Sequence, residues 1–224
     1  TQNQSSAASD VYKRQYLASQ TKTNICCHVD HGYTLDECYE GIDSGFTSVM
    51  FDGSKLTLKE NIKISKKIAS RAHKYNISIE GEIGFVGYDN GKISEGTNIE
   101  DAVTFANKSN IDAMAISVGN THLQTSKKAS IDFNKINLIE AKTKIPLVLH
   151  GSSGIPVEQR KKLARKTKVA KLNIGTEIRM TFGEALRKNL KNNPKTYDRL
   201  QLLKPTIKDL TKVTKKIIKQ IGPN

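Results

Sequence analysis

Short apolar runs alternate with longer amphipathic stretches along most of this chain, and the alternation restricts the folds open to it. The apolar runs are typical of β-strands, and the stretches between them have the spacing of amphipathic helices. Strands that alternate with helices predict βαβ units and a parallel sheet. We place the strands at residues 24–29, 48–51, 77–83, 113–118, 147–149 and 169–172.

Helix starts are marked by capping patterns, in which a threonine is followed three residues later by a glutamate. Three such patterns begin at Thr34, Thr57 and Thr97. Further helices are expected around Ile136 and Ile139, after Pro156, from Thr176, and from Pro205 to a stop at Gly222.

The number of units points to one architecture. A closed (β/α)₈ TIM barrel needs eight β/α units and about 250 residues. We therefore expect an α/β fold, a (β/α)₈ TIM barrel that is N-terminally truncated and retains about six of its eight β/α units. Residues 1–15 are polar and lack periodicity, so we expect a non-native or disordered segment, with a natural disordered tail as the alternative; the barrel domain then covers 16–224.

Charge and composition limit the partners. The chain has 36 Lys and Arg against 22 Asp and Glu, a formal net charge of +14. Such a charge attracts anions, but the lysines are dispersed and aromatic residues are few, which argues against nucleic acid. No apolar stretch is long enough to span a membrane. Three cysteines without a C-x-x-C pair indicate a reducing compartment, so we expect a cytoplasmic protein.

Three histidines each follow a predicted strand: His31, His122 and His150. The carboxyl ends of parallel strands lie on one face of such a fold, where ligands bind. Three imidazoles are a ligand set of catalytic zinc that leaves a coordination position open for substrate. Asp30, beside His31, is placed to transfer a proton.

Four motifs, in order along the chain, resemble the class II, metal-dependent fructose-bisphosphate aldolases and their tagatose-bisphosphate relatives. They are His28-Val29-Asp30-His31-Gly32, residues 45–54, residues 149–154 and residues 171–177. The resemblance implies a glycolytic lyase that reversibly cleaves fructose 1,6-bisphosphate to dihydroxyacetone phosphate and glyceraldehyde 3-phosphate. It implies a zinc cofactor, a monovalent cation as activator, and a homodimer or larger homo-oligomer. In this chemistry the charge left by carbon–carbon cleavage passes to oxygen as a metal-stabilised enediolate.

The resemblance also implies roles for individual residues. Asp30 is the proton donor to the aldehyde oxygen, and His31, His122 and His150 hold zinc. Glu82 and Asp52 are additional metal-site candidates, for which structural pairing is the alternative. Leu123 stands where relatives have glycine and is expected to alter substrate choice. The triose phosphate is held by Gly151, Ser152, Ser153, Asn173, Ile174, Gly175 and Thr176.

The phosphate assignment has a physical basis in two loops. Glycines let backbone N–H groups approach an anion, the Ser152 and Ser153 hydroxyls offer donors, and Thr176 opens a helix. The loop carboxylate that removes the triose-phosphate proton is Asp89 or Glu95. Arg179 is a candidate for binding a second phosphate.

Other functions stay open. Tagatose bisphosphate or another ketose phosphate is the alternative substrate. A catalytically inactive fragment that binds metal and phosphate is the alternative class, and a basic nucleic-acid-binding module is a more distant one.

Overall fold

The computed structural model describes residues 2–88 and 94–222, with side chains from residue 11 onward. Asp89 therefore lies outside the described residues. The chain divides into two compact units. Unit one comprises Thr1–Phe85, Glu95–Ile116 and Leu138–Leu147, and unit two comprises Val86–Ser94, Ser117–Asn137 and Val148–Asn224.

Strands and helices alternate through most of the described chain. Its helices are α1 (Gln2–Ser19), α2 (Leu35–Asp43), α3 (Leu58–Lys74), α4 (Ile99–Lys108), α5 (Phe133–Lys142), α6 (Val157–Lys166), α7 (Thr176–Asn192), α8 (Arg199–Leu203) and α9 (Thr206–Ile221). Its strands are β1 (His28–Gly32), β2 (Ser48–Phe51), β3 (Ser78–Ile83), β4 (Gly87–Tyr88), β5 (Ala113–Ile116), β6 (Thr121–His122), β7 (Leu147–Leu149) and β8 (Val169–Leu172). A 3₁₀ turn covers Ser152–Gly154.

Strand pairing confirms the α/β prediction. Six strands form one sheet in the order β1-β2-β3-β5-β7-β8. The order of the strands in the sheet follows their order along the chain, as in a (β/α)₈ barrel. The registers of β1–β2, β2–β3 and β3–β5 are parallel. The pair β4–β6 forms a second, two-stranded parallel sheet. None of the described helices is both long and apolar enough to cross a membrane.

In unit one the sheet is covered on both faces. Every residue of β2 is buried, which is the pattern of a strand covered on both sides. Helix α3 packs Ile68, Ala69 and Ala72 into this core. Strand β1 begins at His28 rather than Asn24, because the preceding residues include the exposed Ile25 and have no strand partner.

The predicted helix caps are confirmed at two of the three predicted positions. Thr34 and Thr57 each accept a hydrogen bond from the glutamate N–H three residues on, and both form complete capping boxes. The prediction for Thr97 is wrong, because Asn98 is the N-cap of α4. The Thr97 hydroxyl instead donates to the Ile83 carbonyl oxygen at 2.7 Å, since Thr97 is buried.

The N-terminal segment contains a helix, and the expectation that residues 1–15 are non-native or disordered stays a prediction. Residues 2–19 form helix α1, in which Val11 is only 2% exposed. Gln15 donates from its side-chain amide to the Gly45 carbonyl oxygen at 3.3 Å. Good helix formers such as alanine, lysine and arginine support a helix here without an apolar stripe. The foreign origin of residues 1–15 stays a prediction.

Unit two contains β8, which lies beside β7 through the Asn173 N–H donating to the Leu149 carbonyl oxygen at 2.9 Å. Helix α9 packs against α6 and α7. The sequence did not reveal β4, β6 or α8, since segments of two to five residues are too short to show a period.

Candidate metal centre and phosphate loop

The backbone of β1 is irregular at the residues expected to do chemistry. Its register shifts between Val29 and Gly32, and His31 has a φ of 63°. In a regular strand, Asp30 and His31 would point to opposite faces. Here the Asp30 Oδ1 atom lies 3.9 Å from the His31 Nε2 atom. The bulge therefore brings the proposed proton donor and the proposed ligand together.

Asp52, at the end of β2, fixes the His31 imidazole. The His31 Nδ1 atom lies 2.9 Å from the Asp52 Oδ2 atom. The Ser54 hydroxyl and backbone N–H both donate to the Asp52 Oδ1 atom. Burial opposes ionisation, but the hydrogen bonds from His31 and Ser54 outweigh it and lower the pKa of Asp52. An ionised Asp52 favours a proton on His31 Nδ1 and leaves Nε2 available to a metal.

Glu82 joins this group from β3 and is only 1% exposed. One ligand atom from each of His31, Asp52 and Glu82 lies within 4.8 Å of the others. One imidazole nitrogen and two carboxylate oxygens are donors that suit a divalent cation such as zinc. The residues of unit one therefore fit a metal.

Glu80 lies on the same strand but serves His28. The His28 Nε2 atom is 3.8 Å from the Glu80 Oε2 atom, and its Nδ1 atom is 2.9 Å from the Ser48 hydroxyl. These contacts give His28 a structural pairing role.

Unit two brings the other two histidines together. The ring centroids of His122 and His150 are 5.9 Å apart in an edge-on arrangement. Tyr88 stacks on His122 with ring centroids 5.1 Å apart. The Asn173 amide lies 3.1 Å from the His150 Nδ1 atom, and the Asn120 amide donates to the His150 carbonyl oxygen. Two imidazoles held this closely can serve one ion.

The loop after β7 is shaped by Gly151. Its φ is 63°, and a Cβ there would collide with the Thr121 carbonyl oxygen. The Ser152 hydroxyl donates to the Leu149 carbonyl oxygen at 2.8 Å, so its proton is already used and the expectation of a spare donor is wrong. The Ser153 hydroxyl accepts from the Glu177 N–H at 3.1 Å, which leaves its own proton available.

Charged residues around this loop were not found by sequence reasoning, apart from Arg179. Glu177, in the first turn of α7, binds the Arg160 guanidinium at 2.7 Å and the Lys127 ammonium at 3.2 Å. Burial opposes ionisation of Glu177, but the two cations outweigh it and lower the pKa of this carboxyl. The Arg179 guanidinium lies beside Gly175, so it borders the loop between β8 and α7.

Two further candidates, Leu123 and Glu95, are exposed. Leu123 is 55% exposed and has a φ of 56°, a conformation that glycine adopts more easily. Glu95, the described candidate for the loop base, has an exposed side chain in unit one.

Known aldolases are similar in sequence to most of this chain. A family model described as fructose-bisphosphate aldolase class-II matches residues 3–224. A 6-phospho-5-dehydro-2-deoxy-D-gluconate aldolase of Shouchella clausii is 36% identical over 201 residues, which cover 88% of this chain and 68% of the relative. A fructose-bisphosphate aldolase of Staphylococcus aureus is 33% identical over 202 residues, covering 88% and 70%.

Solved structures share the fold. The YdjI aldolase of Escherichia coli K12 superimposes with a TM-score of 0.80 at 26% identity, covering 96% of this chain and 76% of that one. The fructose-bisphosphate aldolase of Campylobacter jejuni gives a TM-score of 0.80 at 21% identity, covering 96% and 75%, which supports the fold alone. With its motifs, fold and family match in agreement, this chain belongs to the class II fructose-bisphosphate aldolase family.

Proposed function

We propose that this chain is a zinc-dependent aldolase that cleaves a phosphorylated ketose and releases dihydroxyacetone phosphate, with fructose 1,6-bisphosphate as the first candidate substrate. The observation that carries the proposal is the pairing at β1, where Asp30 lies 3.9 Å from a histidine whose other nitrogen is fixed by Asp52. A proton-transfer group beside an oriented metal ligand is what this cleavage requires.

His31, His122 and His150 are the zinc ligands in this proposal, with Glu82 and Asp52 close to His31. When bound, zinc withdraws the negative charge that develops on the ketone oxygen as the carbon–carbon bond breaks. Asp52 maintains the tautomer of His31, and the Asn173 amide restrains the ring of His150. These partners keep both imidazoles oriented before substrate arrives.

Asp30 performs the proton transfer. Its side chain is 59% exposed, so a substrate hydroxyl can reach it. During cleavage it removes the proton from the C4 hydroxyl, and during synthesis it returns that proton to the aldehyde oxygen. The Ser153 hydroxyl and the N-terminus of α7 orient the phosphate of the triose half.

A second candidate substrate is 6-phospho-5-dehydro-2-deoxy-D-gluconate, which several relatives at 33–36% identity are named for. Both candidates carry a ketone between a phosphorylated carbon and a hydroxylated carbon. Aldol cleavage therefore releases dihydroxyacetone phosphate from either one. The other product is a phosphorylated aldehyde from the first substrate and an aldehyde with a carboxylate from the second.

A direct assay separates the candidates. Release of dihydroxyacetone phosphate is followed by its reduction with NADH, using fructose 1,6-bisphosphate, tagatose 1,6-bisphosphate and the deoxygluconate phosphate in turn. We expect cleavage of at least one, abolished by a chelator and restored by zinc. Stoichiometric zinc binding without cleavage of any of them would favour the inactive metal- and phosphate-binding alternative.

The cellular setting is part of the proposal. We propose a cytoplasmic homodimer or larger homo-oligomer, activated by a monovalent cation, as the family resemblance implies. The net charge of +14 suits the capture of phosphorylated substrates. Steep salt-dependent binding to DNA would instead support the nucleic-acid alternative.

A further inference from the structure

Arg160, on α6, is a fully buried cation with 0% of its surface exposed. Burying a guanidinium carries a large desolvation penalty, so its partners must compensate. Its Nε atom donates to the Ser152 carbonyl oxygen at 3.0 Å, and its Nη2 atom donates to the Ser153 carbonyl oxygen at 2.7 Å. Nη2 also contacts the Glu177 Oε2 atom at 2.7 Å. One side chain thus joins the loop after β7 to the start of α7.

The two carbonyl contacts set the direction of the loop backbone. Because a trans peptide is planar, a carbonyl that points toward Arg160 directs the following N–H the opposite way. The N–H group of Ser153 therefore faces away from Arg160, and the Gly154 N–H donates within the turn to the Gly151 carbonyl oxygen at 3.4 Å. The carbonyl oxygens of Ser152 and Ser153, which carry the negative ends of the peptide dipoles, point away from any anion on the opposite side of the loop.

The negative charge of Glu177 opposes phosphate binding, and Arg160 compensates that charge. A helix N-terminus favours an anion, but the carboxylate of Glu177 lies in the first turn of α7, where it would repel a phosphate. Arg160 and Lys127 both pair with it, so this group of three has a net charge of +1. Without Arg160 the group would be neutral, and the partly exposed Glu177 carboxylate would lose its closest charged donor.

We propose that Arg160 is a positioning residue for the triose-phosphate loop, which it serves by turning the Ser152 and Ser153 carbonyls inward and cancelling the charge of Glu177. The inference rests on the proposed function, since it assumes that this loop holds the substrate phosphate. Arg160 acts through the loop and through Glu177, without contacting the reacting atoms.

The test measures binding directly, by titration calorimetry of the zinc-loaded full chain with inorganic phosphate and with dihydroxyacetone phosphate. Arg160→Met should weaken both affinities about tenfold or more, because the group of three loses its net positive charge and the Ser152 and Ser153 carbonyls lose their donor. Lys161→Met, which removes the same charge from the adjacent exposed position on α6, should leave them unchanged. Adding Glu177→Gln to Arg160→Met should restore phosphate affinity to within about threefold of the native value.

The outcomes are separable. If the native protein binds neither ligand, the proposed phosphate loop fails; if Arg160→Met binds as tightly as native, only the role of Arg160 fails. A double variant as weak as Arg160→Met would contradict the charge mechanism. Should Arg160→Met fail to fold, Glu177→Gln alone decides: it should tighten phosphate binding about threefold, because both cations remain. Unchanged or weaker binding in that variant overturns the proposal.

Discussion

At the scale of single residues, unusual backbone conformations coincide with the proposed chemistry. Four residues other than glycine have a positive φ within the described chain. Two are asparagines, which tolerate the left-handed region. The other two are His31 and Leu123, a proposed zinc ligand and the residue after another. Strained backbone conformations of this kind are retained where function requires them. The sequence did not predict either positive φ; the one hint was that Leu123 stands where relatives have glycine.

Leu123 allows a test of this strain. Leu123→Gly removes the steric penalty of a left-handed Cβ, so we expect the free energy of unfolding to stay constant or rise by up to about 1 kcal/mol. Leu138, equally exposed but on helix α5, is the matched control: Leu138→Gly should lower it by about 1 kcal/mol. Urea denaturation of both variants measures the difference. Equal destabilisation in the two would argue against strain at position 123.

At the level of helices and strands, the sequence predicted helix starts where the capping contacts are local. The capping boxes at Thr34 and Thr57 were legible because the threonine and the glutamate act locally. The prediction of Thr97 as an N-cap was wrong because its hydroxyl donates to the Ile83 carbonyl oxygen in a tertiary contact. Arg160 was missed because a charged residue in a helix is ordinarily exposed, and only the fold shows that the loop after β7 surrounds it.

The cap of α4 can be verified by substitution. Asn98 accepts from the Asp101 N–H at 3.1 Å, so Asn98→Ala should lower the free energy of unfolding by about 1 kcal/mol. Asn107, exposed within the same helix, is the control, and its replacement by alanine should be neutral or mildly stabilising. Chemical denaturation monitored by circular dichroism measures both. An Asn98→Ala variant as stable as the native protein would contradict the assignment of Asn98 as the cap.

The contact between α6 and α7 should respond to pH. The pKa of Glu177 in the folded chain lies below its ordinary 4.5, so the folded state binds fewer protons than the unfolded state near that pH. The stability contributed by ionised Glu177 is thus complete above pH 4.5 and is lost as the pH falls through the folded value. We expect native protein to be more stable than Glu177→Gln at pH 7, with the gap closing below pH 4.5.

Denaturant titrations of both proteins across this range supply the measurement. If the difference in the free energy of unfolding persists unchanged at acid pH, the ionised Glu177 carboxylate does not stabilise the fold through Arg160 and Lys127.

At the scale of the whole molecule, the alternation of strands and helices predicted the parallel sheet, and the apolar runs located β2, β7 and β8 at their observed bounds. The motifs identified the family. What sequence could not supply was the bulge at His31 or the burial of Arg160, since both arise from tertiary packing. The motifs also did not indicate which aldehyde the enzyme releases together with the triose phosphate.

Helix α1 gives a prediction about the extent of the folded chain. Val11 is 2% exposed and the adjacent Tyr12 is 73% exposed. If α1 is packed in solution, Val11→Ser should lower the free energy of unfolding by about 1–2 kcal/mol, whereas Tyr12→Ser should have little effect. Thermal and urea unfolding of both variants provide the readout. Two silent substitutions would support the expectation that residues 1–15 are a non-native or disordered segment.

In the proposed reaction, zinc and its histidine ligands stabilise charge on the triose phosphate, and Asp30 transfers the proton of the aldehyde half. Proton exchange at C3 of dihydroxyacetone phosphate in heavy water, followed by NMR, isolates the first step from the identity of the aldehyde. We predict exchange with zinc-loaded protein and none after chelation or in His31→Ala. Asp30→Ala should bind zinc and support exchange, yet cleave substrate at least about 100-fold more slowly. Equal exchange by the zinc-free protein would contradict the role of zinc in stabilising that charge.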